Sequence, residues 1–405
     1  MYGAYVYADY STGRFFALRK VAGKYIRTEL LKTAYHPVTF GEDEAGELYV
    51  AQLGGTTRVF KVVQGADTTG KTTFPLKLSD TKCFSDIAAL KPAKGVTSYH
   101  VNAPLWSDGA SKHRHFSTPV GIVKKSKSFL PNASDTGSWQ LPVGTLVLKT
   151  FALGGAAGNG PPDAAKQVKV ETRFMHHDYV KGWRFFTYVW RADGKDADLV
   201  LDGAVRTYDV PGEGKKQWTT PSIAQCGACH GGNAKKRLLG WQTSQLLNAY
   251  SPYTKQNNGL RTMKAAGLIA GKFEPKAHKA FVKQGQLGAP PTDPVALDAH
   301  ARTYMHVNCA VCHQPGGASN TDLDLRFGVA LKDTKGCLIK PKKGDLGIVG
   351  GHLISPAKPA KSTLWHRMQL PPTSGDFMPE VGVSTKHAAG VALVKAWIAS
   401  LKSCK

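Results

Sequence analysis

The chain's 405 residues suffice for two or three domains, and 42% hydrophobic with 20% charged residues is ordinary for a globular protein. No run long and apolar enough to span a bilayer occurs, which excludes a transmembrane helix of the usual kind. The formal charge of +24 is the unusual quantity; no nucleic-acid motif accompanies it, which ranks an acidic protein partner or an anionic surface ahead of nucleic acid.

In chain order, residues 1–65 read as strands. Tyr5-Val6-Tyr7 and Phe15-Phe16-Ala17-Leu18 flank a turn-like Asp9–Gly13, and Leu48-Tyr49-Val50 and Val59-Phe60-Lys61-Val62 flank Gly54-Gly55. These are too few strands for an independent domain. The strings GAYVYADYSTGRFFAL and FGEDEAGELYVAQLGGTTRVFKV resemble the closing blades of the propeller in quinoprotein glucose/sorbosone dehydrogenases. Only the final part of such a propeller is covered, and a propeller needs its whole ring to bury its sheets. The resemblance therefore implies a remnant of blades over 1–65, without the blades that bind cofactor and oxidise sugar.

Residues 66–94, with Gly70, Pro75 and Pro92, read as a linker. A β-rich region follows over 95–222, where Thr145–Phe151, Val168–Phe174 and Trp183–Trp190 show strand composition with partial alternation. It predicts a β-sandwich-like domain, with Gly154–Pro162 as a surface loop. Trp106-Ser107-Asp108-Gly109 reads as a turn with a buried indole.

From Pro221 the period turns helical, with helices predicted near 223–232, 240–249, 258–269, 295–312 and 386–402. Gly285–Pro294 is the joint between two segments. Each segment carries a C-x-x-C-H string: Cys226-Gly-Ala-Cys229-His230 and Cys309-Ala-Val-Cys312-His313. Two thiols at this spacing reach the two vinyl groups of a haem and form thioethers, and the following imidazole meets the iron. A zinc site would bring two cysteine pairs within a couple of dozen residues, and a thioredoxin-like pair would sit in a βαβ unit. Neither context exists here. The expected cofactors are two covalent haem c groups, held through Cys226, Cys229, Cys309 and Cys312, with His230 and His313 as proximal iron ligands.

A sixth ligand for the second haem is expected from Phe377-Met378-Pro379, in the loop before the final helix; Met368 is its rival. A thioether raises the potential and suits electron transfer. For the first haem the nearest candidate is Met263, with Met175, His176, His177, His278 and His306 as other options. This second segment resembles the class I cytochrome c fold, and the resemblance implies that its N- and C-terminal helices cross beside the haem, with Tyr304 and Trp397 as candidates for the crossing. Of the three other cysteines, Cys337 and Cys404 are the expected disulfide and Cys83 is left over. Basic clusters lie at Lys124, Lys125 and Lys127, at Lys215 and Lys216, at Lys235–Arg237, and through Lys332, Lys335, Lys340, Lys342 and Lys343. An acidic redox protein is their expected partner.

The strings NAPLWSDGASKHRHF, GTLVLKTF, VETRF, TYVWRADGKDADLVL, PSIAQCGACH, LGWQTSQLLN and YMHVNCAVCHQPGG together resemble a family of uncharacterised bacterial dihaem c-type cytochromes. Members of that family are often fused behind a glucose/sorbosone dehydrogenase-like propeller. The resemblance runs from about residue 75 to the end, and its terminal part is similar to class I cytochrome c. It implies electron transfer, with a periplasmic quinoprotein-type dehydrogenase as donor. The alternative is a dihaem peroxidase with one open haem. Thioether attachment follows export, yet Met1-Tyr-Gly-Ala-Tyr5 has neither the basic start nor the apolar run of a signal peptide. A periplasmic or extracellular protein with further sequence upstream is the expectation. The expected fold class is mixed: N-terminal partial propeller strands, a central β-sandwich-like domain over 95–222, and a C-terminal all-α dihaem cytochrome c region split into 223–290 and 291–405.

Overall fold

The computed structural model describes residues 4–21, 24–33, 35–44, 46–53, 58–62, 74–119, 138–139, 141–155, 166–178, 182–230, 238–247, 249–251, 256–257, 259–260, 263, 279–284 and 287–405. Strands β1 (Ala4–Asp9), β2 (Arg14–Val21) and β3 (Lys24–Lys32) form one antiparallel meander. Its first turn closes because Asp9 Oδ1 accepts from both the backbone N–H and the hydroxyl of Thr12, each at 2.7 Å. A second meander holds β4 (Pro37–Glu42), β5 (Leu48–Gln52) and β6 (Val59–Lys61). Phe15 meets Phe40 edge-on at 5.9 Å across the two sheets. Among the described residues each sheet has three strands, against the four of a propeller blade.

The linker predicted over 66–94 is folded from residue 74 onward. It carries β7 (Phe84–Asp86) and β8 (Lys91–Pro92), and it buries Leu78, Cys83 and Leu90 against the next domain. That domain is one open six-stranded antiparallel sheet in sequence order, with no closed barrel. It runs β9 (Thr97–Ser98), β10 (Ser111–Ser117), β11 (Leu146–Leu153), β12 (Val168–Asp178), β13 (Gly182–Trp190) and β14 (Ala197–Val200). Alternation along the strands sends side chains to both faces, and both faces are covered. One face packs Leu148, Phe174, Phe186, Tyr188 and Trp190 on Leu78, Cys83 and Leu90. The other packs Phe116, Val147, Met175 and Trp183 on Trp241, Leu246 and Met263. The expected sandwich of two facing sheets is thus replaced by one sheet between two irregular layers. A hairpin of β15 (Ala204–Val210) and β16 (Gly214–Thr220) adds Tyr208, Val210 and Trp218 beside Phe151.

The predicted all-α C-terminal region is not what forms. Among the described residues its named helices are α1 (Ile223–His230), α2 (Thr243–Leu246), α3 (Pro294–Asn308), α4 (Thr363–Gln369) and α5 (Ala388–Ser400), with long irregular chain between α3 and α4. The region also contains a small ladder of β17 (Tyr250–Ser251) with β18 (Gln256–Asn257), and parallel bridges Cys337–Ile354 and His352–Ser362. The molecule is mostly β, and a C-terminal all-α dihaem cytochrome fold is not supported. The physical reason lies between Cys309 and Ser362. Lys335, Leu338, Leu346 and Ala357 adopt positive φ there, alongside Gly316, Gly344, Gly347 and Gly350, so no helix can propagate. The predicted helix over 258–269 falls almost wholly outside the described residues.

Two helices do meet as predicted. Helix α3 starts with Pro294 in its first turn and an Asp293 cap, whose Oδ2 accepts from Ala296 N–H at 2.7 Å. It packs Leu297, Ala301, Tyr304 and Met305 against Leu393, Val394, Trp397 and Ile398 of α5. Trp397 Nε1 donates to Asp298 Oδ1 at 2.8 Å, and Tyr304 hydroxyl lies 3.1 Å from His387 Nδ1, so Tyr304 and Trp397 both sit at the crossing. A disulfide joins Cys337 to Cys404 across 67 residues and ties the irregular stretch to the C-terminus. Cys83 is a buried thiol directed at Thr81 O. No described helix is long and apolar enough to cross a membrane.

Candidate functional site

The second C-x-x-C-H is one compact turn continuing from α3. Cys309 and Ala310 N–H donate back to Met305 O at 2.8 and 3.0 Å. Cys312 and His313 N–H then donate to Cys309 O at 3.0 and 2.9 Å, which gathers both sulfurs and the imidazole on a single turn. A Cβ on Gly317 would lie 2.0 Å from Cys312 O, so only glycine lets the following chain close against this turn.

Burial sets the chemistry of these groups. It pushes the Cys309 thiol up to about 12, with neighbouring Cys312 adding to the effect. The same burial pushes the His313 imidazole below its ordinary value, keeping it neutral and able to ligate. His313 Nδ1 lies 3.2 Å from Thr321 Oγ1, which fixes the ring and turns Nε2 toward other duty. Sequence reasoning passed over Thr321, although it stands only eight residues beyond its partner.

Beside α3 a cavity is lined by Tyr304, Asn308, Met368, Phe377, Met378, Pro379, His387 and Trp106. Both candidate thioethers, Met378 and Met368, therefore reach one wall. The Met378 loop is fixed by buried Arg367, unnoticed in the sequence. Arg367 O accepts from Met378 N–H at 3.1 Å, and its guanidinium holds Asp376 Oδ1 at 2.6 Å and the carbonyl of Gly344 at 2.9 Å. That guanidinium holds the Asp376 carboxyl below the usual carboxylate range.

The Trp106–Gly109 loop of the central domain closes this wall. Its indole is not simply buried in a turn. Trp106 stacks on His387 at 3.9 Å, its Nε1 donates to Thr385 O at 3.3 Å, and its N–H donates to Asn308 Oδ1 at 2.8 Å. Asp108 accepts from the N–H and hydroxyl groups of both Ser384 and Thr385 at 2.8–2.9 Å.

The first motif lies on α1. Cys226 is buried with its Sγ 3.5 Å from Ser222 O, and the His230 ring, one turn further, lies 5.5 Å from the Phe185 ring of β13. Cys229 belongs to the same helix, and its side chain is outside the described residues. Met263 is fully buried in the apolar cluster around Trp241, a cluster that includes Met175 and packs Phe185 at its edge. His177 is engaged at Leu141 O, 2.9 Å away, and stacks on Trp183. His306 is held on both ring nitrogens, by Gln242 at 3.0 Å and by Phe327 N–H at 3.2 Å. His176 lies on the opposite face, against Phe74; His278 falls outside the described residues.

The donor set at the second motif is of the kind a covalent haem uses, two reduced sulfurs and a buried imidazole on one turn, while Met368 and Met378 line the separate cavity beside α3. Among the described residues no group of three or more His, Cys, Asp or Glu side chains is placed to hold a metal ion by itself. Comparison with protein-family models, with curated proteins and with solved structures gave no match.

Proposed function

We propose that the chain is a dihaem c-type cytochrome that carries single electrons from a periplasmic quinoprotein-type dehydrogenase to a downstream acceptor. The observation that carries the reading is the Cys309–His313 turn, where two reduced sulfurs and a neutral imidazole oriented by Thr321 occupy one turn of chain. Cys226 and His230 stand one helical turn apart at the first motif. Haem iron supplies a reversible one-electron couple once bound. The chain's own residues do the rest. The four motif cysteines anchor the porphyrins, His230 and His313 supply nitrogen, and Met378 supplies a soft sulfur held in place through Arg367 and Asp376. The proposed location is the periplasm or outside the cell, where thioether formation takes place.

The test is the intact mass and absorption spectrum of protein matured with the haem-attachment machinery. Two added haems are expected, falling to one when Cys309 and Cys312 are both changed to Ala, and likewise for Cys226 and Cys229. Colourless protein with the mass of bare polypeptide would end the proposal. A high-spin five-coordinate haem with peroxide turnover would replace electron transfer by the peroxidase reading.

A further inference from the structure

The Trp106–Gly109 loop of the central domain is built as a fixed projection. Its base is closed by the Lys112 ammonium, which donates to Leu105 O at 2.6 Å and to Ala110 O at 3.3 Å, one carbonyl on either side of the loop. Ala110 N–H donates to Ser107 O at 2.9 Å across it. At the tip, Asp108 and Gly109 adopt φ of 51° and 79°, the left-handed region that glycine and short polar side chains tolerate. The Asp108 carboxylate is thus carried on a preformed base.

The tip meets the return limb of the Met378 loop, where Ser384 follows Met378 by six residues. Asp108 Oδ1 accepts from the N–H and hydroxyl of Thr385 at 2.8 and 2.9 Å, and Oδ2 accepts from the Ser384 hydroxyl at 2.9 Å. The Ser384 N–H is shared between both oxygens at 2.9 Å. Bonds to an ionised acceptor are roughly twice as strong as neutral ones. Trp106 Nε1 adds a bond to Thr385 O. Among the described residues, the main chain from Pro379 to Lys386 is hydrogen-bonded through Ser384 and Thr385, to this loop alone. The outgoing limb is held separately, by Arg367 through the Met378 N–H and Asp376. Met378 therefore lies between two anchors, and the second belongs to another domain.

We propose that Asp108 is a positioning residue for Met378: through this one carboxylate the central domain fixes the thioether offered to the second haem. The inference rests on the dihaem reading above and adds a residue that acts through the loop rather than on the haem. A loop fixed at one limb can swing about it; fixing the other limb removes that freedom during folding, before any ligand is bound. The projection also reaches the helix that leads into the second C-x-x-C-H string, because Trp106 N–H donates to Asn308 Oδ1 and Asn308 directly precedes Cys309. The turn and the Met378 loop thus take their spacing from the same projection.

The experiment records the absorption spectrum, spin state and midpoint potential of each haem in holoprotein whose two haems are verified by mass. A thioether at iron raises the potential, so Met378→Ala is the reference for its loss. Asp108→Ala is expected to move the second haem partway to that reference, with a lower potential and a mixed spin state, and to leave the first haem unchanged. Asp108→Asn keeps one oxygen for Thr385 and should fall between Asp108→Ala and wild type. So should Ser384→Ala combined with Thr385→Val, which removes two hydroxyl donors and leaves both N–H groups. A second haem identical to wild type in fully loaded Asp108→Ala protein would overturn the assignment. Equal change at both haems in Asp108→Asn would overturn it too, because the carboxylate would then serve the fold in general. An unaltered second haem in Met378→Ala would overturn the ligand on which the proposal stands. Wild type without haem at Cys309 and Cys312 would instead overturn the dihaem reading itself.

Discussion

His100, His115 and His387 lie at the seams of the molecule, and burial holds each of them neutral. It pushes His387 down to about 4, with Lys112 adding a smaller push, and it pushes His100 to about 3 and His115 to about 4, from an ordinary value of 6.5. The sign of the linkage follows directly. Between pH 6.5 and 4 the unfolded chain takes up protons at these positions while the folded chain does not, so stability falls as the solution is acidified. The midpoint of denaturant unfolding is expected to drop progressively as the pH falls below 6.5. His387→Gln should flatten part of that decline. A midpoint that rose on acidification to pH 5 would contradict this account. The same residues show what sequence conveys at this scale. The C-x-x-C-H strings were visible in the sequence because they depend on nearest-neighbour spacing. Asp108, Thr321 and Arg367 were not, because their roles come from partners that only the folded chain brings near.

At the scale of elements, α3 and α5 were foreseeable because each repeats its apolar residues at helical spacing and α3 begins with a strong cap. Leu78, Cys83 and Leu90 follow no period, so a packed segment read as a linker. The crossing of α3 and α5 hangs on Gly390, where a Cβ would lie 2.2 Å from the Tyr304 hydroxyl and 2.3 Å from Cζ. Tyr304 is fixed by His387 and cannot withdraw. Gly390→Ala should therefore cost about 1–3 kcal/mol, seen as a lower thermal midpoint. Gly375→Ala, where a Cβ meets nothing within 4 Å, should stay within about 0.5 kcal/mol of wild type. Equal stability in the two variants would mean that the helices do not approach as described.

For the whole molecule, the net charge of +24 bears on encounter rather than fold. Two haem groups would lower it by roughly four units and leave it strongly positive. Lys124, Lys125, Lys127 and Lys235–Arg237 fall outside the described residues and Lys216 is paired with Glu213; the exposed stretch from Lys332 to Lys343 is the cluster that adjoins the candidate site. Lys342 is paired with Asp322 at 2.9 Å, while Lys335 and Lys340 extend from the same surface. That stretch connects to the candidate site, because Arg367 holds the carbonyls of Lys343 and Gly344 as well as the Met378 loop. An acidic redox protein drawn to these lysines would be delivered beside the haem proposed at the second motif. Exposed charges are screened beyond about 10 Å at 0.1 M salt, so the bimolecular rate of electron transfer to such a partner should fall as ionic strength rises. Lys335→Glu combined with Lys340→Glu should slow the reaction at low salt and flatten that dependence, leaving the haem spectra unchanged. Stopped-flow rates that stay constant from low to high salt would mean that the lysines serve something other than docking.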